Sequence, residues 1–289
     1  MDFNEIAEKF SSAKLLGVGE SSHGTHEFFE FKTILFKELV MNHGFNTLFF
    51  EDQPKTCDAI NEFIASGTGN VDKLTGQLYP IWRTEELKQL FLWLRKINPK
   101  HGVKFVGFDI EQTDENMPKR DELMAKNIKK YVDAHPKTKG LVWAHNSHLQ
   151  KVGSNFNPKP TGLFLRKYFG DDYAAVALLF GVGTLSATKL KEDVPPGRDR
   201  RLSAIKVDTI PPNITEFSLH KLKGDSEPFF LSKESPEFAE LNNTNFVRSI
   251  GWGVIPELIN EVIEKTNIKK SFDGIMYFPK ASHSQSLSE

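Results

Sequence analysis

A single cysteine, Cys57, stands among 289 residues. No disulfide can form within the chain, so a packed core must hold the fold. Such sparing cysteine use fits a reducing compartment, and a cytoplasmic location is expected. No histidine lies near Cys57 in sequence, so it reads as a small packed residue rather than a nucleophile. No apolar run reaches the ~18 residues that would cross a bilayer. The N-terminal stretch MDFNEIAEKFSSAK lacks a basic segment followed by an apolar one, so no secretory leader is expected. An excess of one charge is also missing: 37 basic and 38 acidic residues leave a formal net charge of −1. That balance argues against nucleic acid or a membrane surface as a partner. Low-complexity tracts and clear linkers are absent too, which favours one domain over 1–289.

Within that domain, short apolar runs alternate with helical periodicity. KLLGVGE has the profile of a buried strand feeding a turn. The segment after it carries Phe28, Phe31, Leu35 and Leu39 at helical spacing, with Gly44 suited to the stop. FNTLFFED is a second strand ending in carboxylates, which completes a βαβ unit. A similar pattern follows in KGLVWAHNSH, TGLFLRKYFG and DDYAAVALLFG. Between the halves, Thr84 is placed to cap a helix in RTEELKQLFLWLRKINPK, VKFVGFDIE reads as a strand, and RDELMAKNIKKYVDAH as a helix. The expected fold is α/β: a central, mainly parallel sheet flanked by helices, with two pseudo-related βαβ halves. Beyond residue 184 the pattern is less regular. LKEDVPPGRDRRLSAI reads as a loop, IPELINEVIEKTN as a helix, SFDGIMYFPK as a closing strand, and 280–289 as a mobile tail.

The chemistry concentrates in LLGVGESSHGTH, residues 15–26. A dinucleotide-binding loop needs a third glycine where Ser22 stands, and Glu20 would repel a phosphate. A nucleophile elbow needs glycine where His23 stands. Ser21 or Ser22 fits the cap of the following helix instead. The remaining reading is a histidine base steadied by a carboxylate. His23 and His26 follow one strand, and His145 and His148 follow another. In a parallel sheet such strand ends share the edge where α/β proteins bind ligands. Glu20, Glu51, Asp52, Asp109 and Glu111 fall at predicted strand ends as well. Imidazole can take a proton from water near neutral pH, a buried carboxylate fixes its tautomer, and an arginine can stabilise an oxyanion. A competing reading uses the two H-x-x-H pairs and the nearby carboxylates to hold a divalent metal such as zinc.

The motifs GVGESSHGTHEFFEFK, VGFDI, RDELMAKNI and WAHNSHL occur in that order, followed by the PP before EFSLHKL, then RSIGWGVIPE and FDGIMYF. Taken together they resemble the erythromycin esterase-like family, some of whose members are called succinoglycan biosynthesis-type proteins. The resemblance implies an α/β fold and hydrolysis of an ester, in the best-known members a macrolide lactone, as in antibiotic resistance. It implies His23 as the base that activates water, with Glu20 in the same motif. Glu51, Arg120, His145 and His148 complete the expected catalytic set. Lys32, Asp109, Ser22 and Asn146 are the candidates for substrate contact, while His26 lies outside the motif. No cofactor is expected on this reading, and the expected partner is a small ester or lactone. Macrolide-inactivating members are longer between the halves, where this chain has room for two or three helices. Distant relatives use metal, so a metal hydrolase is one alternative and a silent ligand-binding protein is another. Trp82, Trp93, Trp143 and Trp252 are expected in the core or in a cleft wall.

Overall fold

The computed structural model describes residues 2–113, 115–191, 201–241 and 245–287. Helix α1 (Phe3–Phe10) is capped by the Asp2 carboxylate and leads into strand β1 (Leu15–Val18). Helix α2 (His26–Asn42) and strand β2 (Thr47–Phe50) complete the first unit. Between β2 and strand β3 (Lys104–Gly107) come α3 (Pro54–Ser66), α4 (Val71–Thr75) and α5 (Glu85–His101). Thr84 caps α5 by accepting from the Leu87 amide. Helix α6 (Arg120–Ala134) precedes β4 (Gly140–Trp143), α7 (Asn146–Leu149), α8 (Thr161–Phe169) and the long strand β5 (Tyr173–Lys189).

The rest of the chain supplies β6 (Leu202–Val207), α9 (Thr215–Lys223), β7 (Phe229–Ser232), α10 (Pro236–Glu240) and β8 (Asn245–Arg248). It ends in β9 (Gly253–Val254), β10 (Ile263–Thr266), α11 (Ile268–Ser271) and β11 (Gly274–Ala281).

The main sheet runs β3-β2-β4-β1-β5-β11-β7, with β6 and β9 also paired to β5. All neighbours from β3 to β11 along that path are parallel, and β7 is antiparallel to β11. The expected mainly parallel α/β fold is what the structure contains, but the two halves interleave. β4 lies between β1 and β2, and β1 lies between β4 and β5.

Alternate strand residues feed two cores. Leu16, Val18, Phe50 and Trp143 pack with α2, α3 and α5 on one face. Leu15, Phe49 and Val142 pack with α6 and α8 on the other. Burial on both faces explains why these strands read as continuous apolar runs.

Register sets the position of the site. Val18 and Phe50 both stand opposite Trp143, and Phe50 also stands opposite Gly107. The residues that follow β1 to β4 therefore emerge at one edge of the sheet.

Several segments depart from expectation. IPELINEVIEKTN forms only a 3-10 turn at Pro256–Leu258 and then strand β10, which pairs antiparallel with β8. Its short apolar spacing suits either state, and pairing with a neighbouring strand decides it. Residues 282–287 are laced to the body by backbone bonds, such as His26 N to Ser282 O at 2.9 Å and Leu287 N to Arg83 O at 3.0 Å. They are not a mobile tail, while 288–289 lie outside the described residues. The interval from Glu51 to His145 holds four α-helices among the described residues, one more than expected. Most of the loop read in LKEDVPPGRDRRLSAI, residues 192–200, also lies outside them. No helix among the described residues is long and apolar enough to cross a membrane.

Close approach of the β1 and β4 turns requires glycine at position 19. A Cβ there would sit 2.1 Å from Asn146 Oδ1 and 3.1 Å from its Cα. Gly19→Ala should therefore cost ~1–3 kcal/mol through overpacking. Urea unfolding checks this, and a variant as stable as the parent would show that the turns can part.

Candidate active site

Glu20 leaves β1 fully buried. Its Oε1 lies 2.8 Å from His23 Nδ1, and its Oε2 accepts from Lys32 Nζ at 2.5 Å. A carboxylate removed from water needs such a counter-charge. Lys32 arises from the buried face of α2 and sits 4.7 Å from the Trp143 ring. Burial pushes its pKa down to about 8, against the opposing pull of Glu20. When Glu20 accepts from Nδ1–H, the other ring nitrogen, Nε2, is the one free to take up a proton. His23 lines a cleft of about 710 Å³ and keeps 8% of its surface exposed.

The β2 and β4 ends meet this turn. The His145 and His23 ring centres are 5.1 Å apart. The Ser147 amide donates to His145 Nδ1 at 3.2 Å, and the Ser147 hydroxyl lies 2.8 Å from the same atom. With Nδ1 as acceptor, the ring proton is on Nε2, a buried atom, and the ring is also hydrogen-bonded to the Ser21 backbone. Burial, then His23 and His148, hold His145 well below the usual imidazole range, so it is neutral.

Glu51 Oε2 accepts from the His145 amide at 3.0 Å. Its Oε1 accepts from Arg120 Nη2 at 3.0 Å and lies 3.3 Å from His148 Nε2. Burial alone would raise the Glu51 carboxyl, but His148, His23 and Arg120 together drive it far below the usual range. Arg120 also grips Asp109 through Nε and Nη2, both at 2.9 Å. Burial works against its charge, and these carboxylates more than restore it. His148 Nδ1 lies 2.8 Å from Asp121 Oδ1. Burial lowers the His148 pKa, but Asp121 and Glu51 outweigh that and leave it raised.

His23, Glu51, Arg120, His145 and His148 all line the cleft. Glu20 stands behind His23. The four residues expected at the substrate are placed elsewhere: Lys32, Asp109, Ser22 and Asn146 are buried and none lines the cleft. Lys32 supports Glu20, and Asp109 supports Arg120. Ser22 Oγ pairs with Thr25 Oγ1 at 2.8 Å, and Asn146 donates to the Leu178 carbonyl at 3.0 Å. Neither Ser21 nor Ser22 caps α2, whose N-cap is Thr25. Asp52 accepts from the Gln53 and Tyr79 amides, both at 2.7 Å, and burial raises its carboxyl to about 6.

Trp82 and Trp252 form part of the cleft wall, while Trp143 is core and Trp93 packs at its margin. Asp121, Tyr79, Phe156 and Ser249 were not singled out from the sequence. Only Asp121 carried a signal, as the neighbour of Arg120 in the R-D pair.

The H-x-x-H pairs do not converge as metal ligands. His26 turns to Glu86 at 2.7 Å, and the ring nitrogens of His148 face Asp121, Glu51 and Arg120. Among the described residues no three His, Cys, Asp or Glu side chains are grouped to hold a metal ion.

A parallel α/β sheet with imidazole, carboxylate and guanidinium gathered at its carboxyl edge defines a class of α/β protein with a polar, charged cleft rim. Residues 40–119 and 111–281 match the family model described as erythromycin esterase, and the chain belongs to that family. A stretch of 111 residues is 33% identical to an erythromycin esterase type II of Escherichia coli, covering 38% of this chain and 26% of that protein. Among solved structures, a Bacillus cereus protein is similar at a TM-score of 0.77 and 18% identity, over 100% of this chain and 94% of that one. A succinoglycan biosynthesis protein matches at 0.76 and 18%, over 98% and 92% of the two chains. A mutant of the erythromycin esterase EreC in its open conformation matches at 0.75 and 16%, over 100% and 97%. These structures share the fold.

Two outcomes follow for stability. Lys32→Met strands the Glu20 carboxylate without its cation and should cost about 3–5 kcal/mol, measured by urea unfolding. His148 gains a raised pKa on folding, so its contribution is full below the ordinary value of ~6.5 and fades as pH rises through the folded one. The stability gap between the parent and His148→Asn should therefore be wider at pH 5.5 than at pH 9. Equal gaps would mean that the His148 charge does not matter.

Proposed function

We propose that the protein hydrolyses a carboxylic ester or lactone with water activated by His23. Water enters the cleft against His23 Nε2, which takes one proton as the oxygen bonds to the acyl carbon. Glu20 holds the ring by Nδ1 and stabilises the imidazolium that forms. The carbonyl oxygen becomes an oxyanion and meets the Nε2–H of His145, a neutral donor. A preorganised donor of this kind stabilises charge where it develops. The acyl carbon–oxygen bond then breaks, and the imidazolium gives its proton to the leaving alkoxide. Arg120 and His148 hold Glu51, whose carboxylate fixes the His145 backbone. This scheme uses no metal.

The observation that carries the reading is the Glu20–His23 pair at 2.8 Å, opening on a cleft where His145 faces it. Turnover of a panel of lactones and simple esters, with and without chelator, tests it. His23→Ala should reduce kcat/KM by ~10²–10⁴, and chelator should leave the rate unchanged. Activity lost on chelation would make the protein a metal-dependent hydrolase. Tight binding of an ester without turnover would make it a silent binding protein. The 26% coverage of the longer Escherichia coli esterase makes small lactones and simple esters the first substrates to try, with macrolides beside them.

A further inference from the structure

The Glu20 carboxylate fixes one side of the His23 turn. Its other side is held from a distant part of the chain. The Gly24 carbonyl accepts from the Ser284 amide at 3.0 Å and from the Ser186 amide at 2.8 Å. The His26 amide donates to the Ser282 carbonyl at 2.9 Å. The Glu27 carboxylate accepts from the Ser282 amide at 2.8 Å and from its hydroxyl at 2.6 Å.

The same segment then crosses to the start of α5. The Gln285 amide donates to Glu86 Oε1 at 3.0 Å, and the Gln285 carbonyl accepts from the Glu85 amide at 2.9 Å. Glu86 Oε1 is also 2.7 Å from His26 Nδ1. Just ahead of α5 stands Trp82, whose ring meets the His23 ring edge-on at 4.8 Å. A closed circuit results: His23 turn, residues 282–287, the start of α5, Trp82, and back to the His23 ring.

We infer that residues 282–287 are a positioning strap for the His23 base, setting where its Nε2 points into the cleft. The strap touches no part of the cleft itself: none of its residues lines that space. It acts through the backbone of the His23 turn, so its effect falls on the geometry of attack. Misplacing a reacting group by about 1 Å can cost ~10²-fold in rate. The kinetic part of this inference rests on the ester hydrolysis proposed above, but the structural part does not.

Proline removes a backbone N–H without removing the chain. Ser284→Pro deletes the donor to Gly24, whereas Ser284→Ala keeps it. The Ser284 hydroxyl is buried and unpartnered among the described residues, so alanine is the conservative control. Two readouts are taken on the full chain. One is kcat and KM on whichever ester the intact protein turns over. The other is the proton NMR signal of the His23 imidazole N–H bonded to Glu20, which needs no substrate.

Ser284→Pro should lower kcat about 10–100-fold with little change in KM, and broaden the imidazole signal. Ser284→Ala should keep both. If Ser284→Pro does not fold, Glu27→Ala, which removes the acceptor for Ser282, is read in the same way. A sharp, unshifted His23 signal with unchanged kcat in the folded variant would overturn the strap. If the intact chain turns over no ester, the hydrolase reading fails, while the NMR signal still decides the strap.

Discussion

The rim depends on one buried carboxylate shared between two cations-in-waiting. Glu20 has no access to water, so its charge is tolerable only because Lys32 lies against one oxygen and His23 against the other. Lys32 in turn is fully buried, and among the described residues its ion-pair partner is Glu20. The two charges are thus mutually obligatory, and the histidine is oriented by their balance. A carboxylate that must satisfy a permanent neighbour is also a carboxylate of fixed direction. That is the property a ring needs if one nitrogen is to stay protonated while the other faces a reactant.

A second constraint keeps the opposite wall rigid. Arg120 is wedged between Asp109 and Glu51, and Glu51 also receives the His145 amide. Three strand ends, those of β2, β3 and β4, are thereby joined through side chains as well as through the sheet. Such a network resists the small rearrangements that would blur the distance between His23 and His145. It also spends most of the arginine's donors inside the protein. In this arrangement Arg120 is better suited to fixing the rim than to gripping a substrate.

Much of this was legible in the sequence, for physical reasons. Strands buried on both faces leave continuous apolar runs, and their polar ends mark the reactive edge. His23, Glu51, His145 and His148 were expected at that edge by position and Arg120 from the R-D motif, and all five line the cleft. What the sequence hid was the choice between contact with the cleft and support behind it. Lys32, Asp109, Ser22 and Asn146 have the same residue types as cleft-lining groups, and only packing reveals that they face inward. The strand from Ile263 to Thr266 was hidden for another reason: its spacing fits a helix until β8 is laid beside it. The fixed path of residues 282–287 rests on backbone bonds that no side-chain pattern records.

The interleaving of the two halves bears on how the chain acquires its shape. β1 and β2 each lack an inner neighbour until β4, about ninety residues after β2, has been made and inserted between them. Pairings between strands so far apart in the chain form slowly, because loop closure must precede any reward from contact. Until then two apolar strand edges stand open to other copies of the chain. Temperature and concentration during synthesis should therefore govern the yield of soluble protein more strongly than the final stability does.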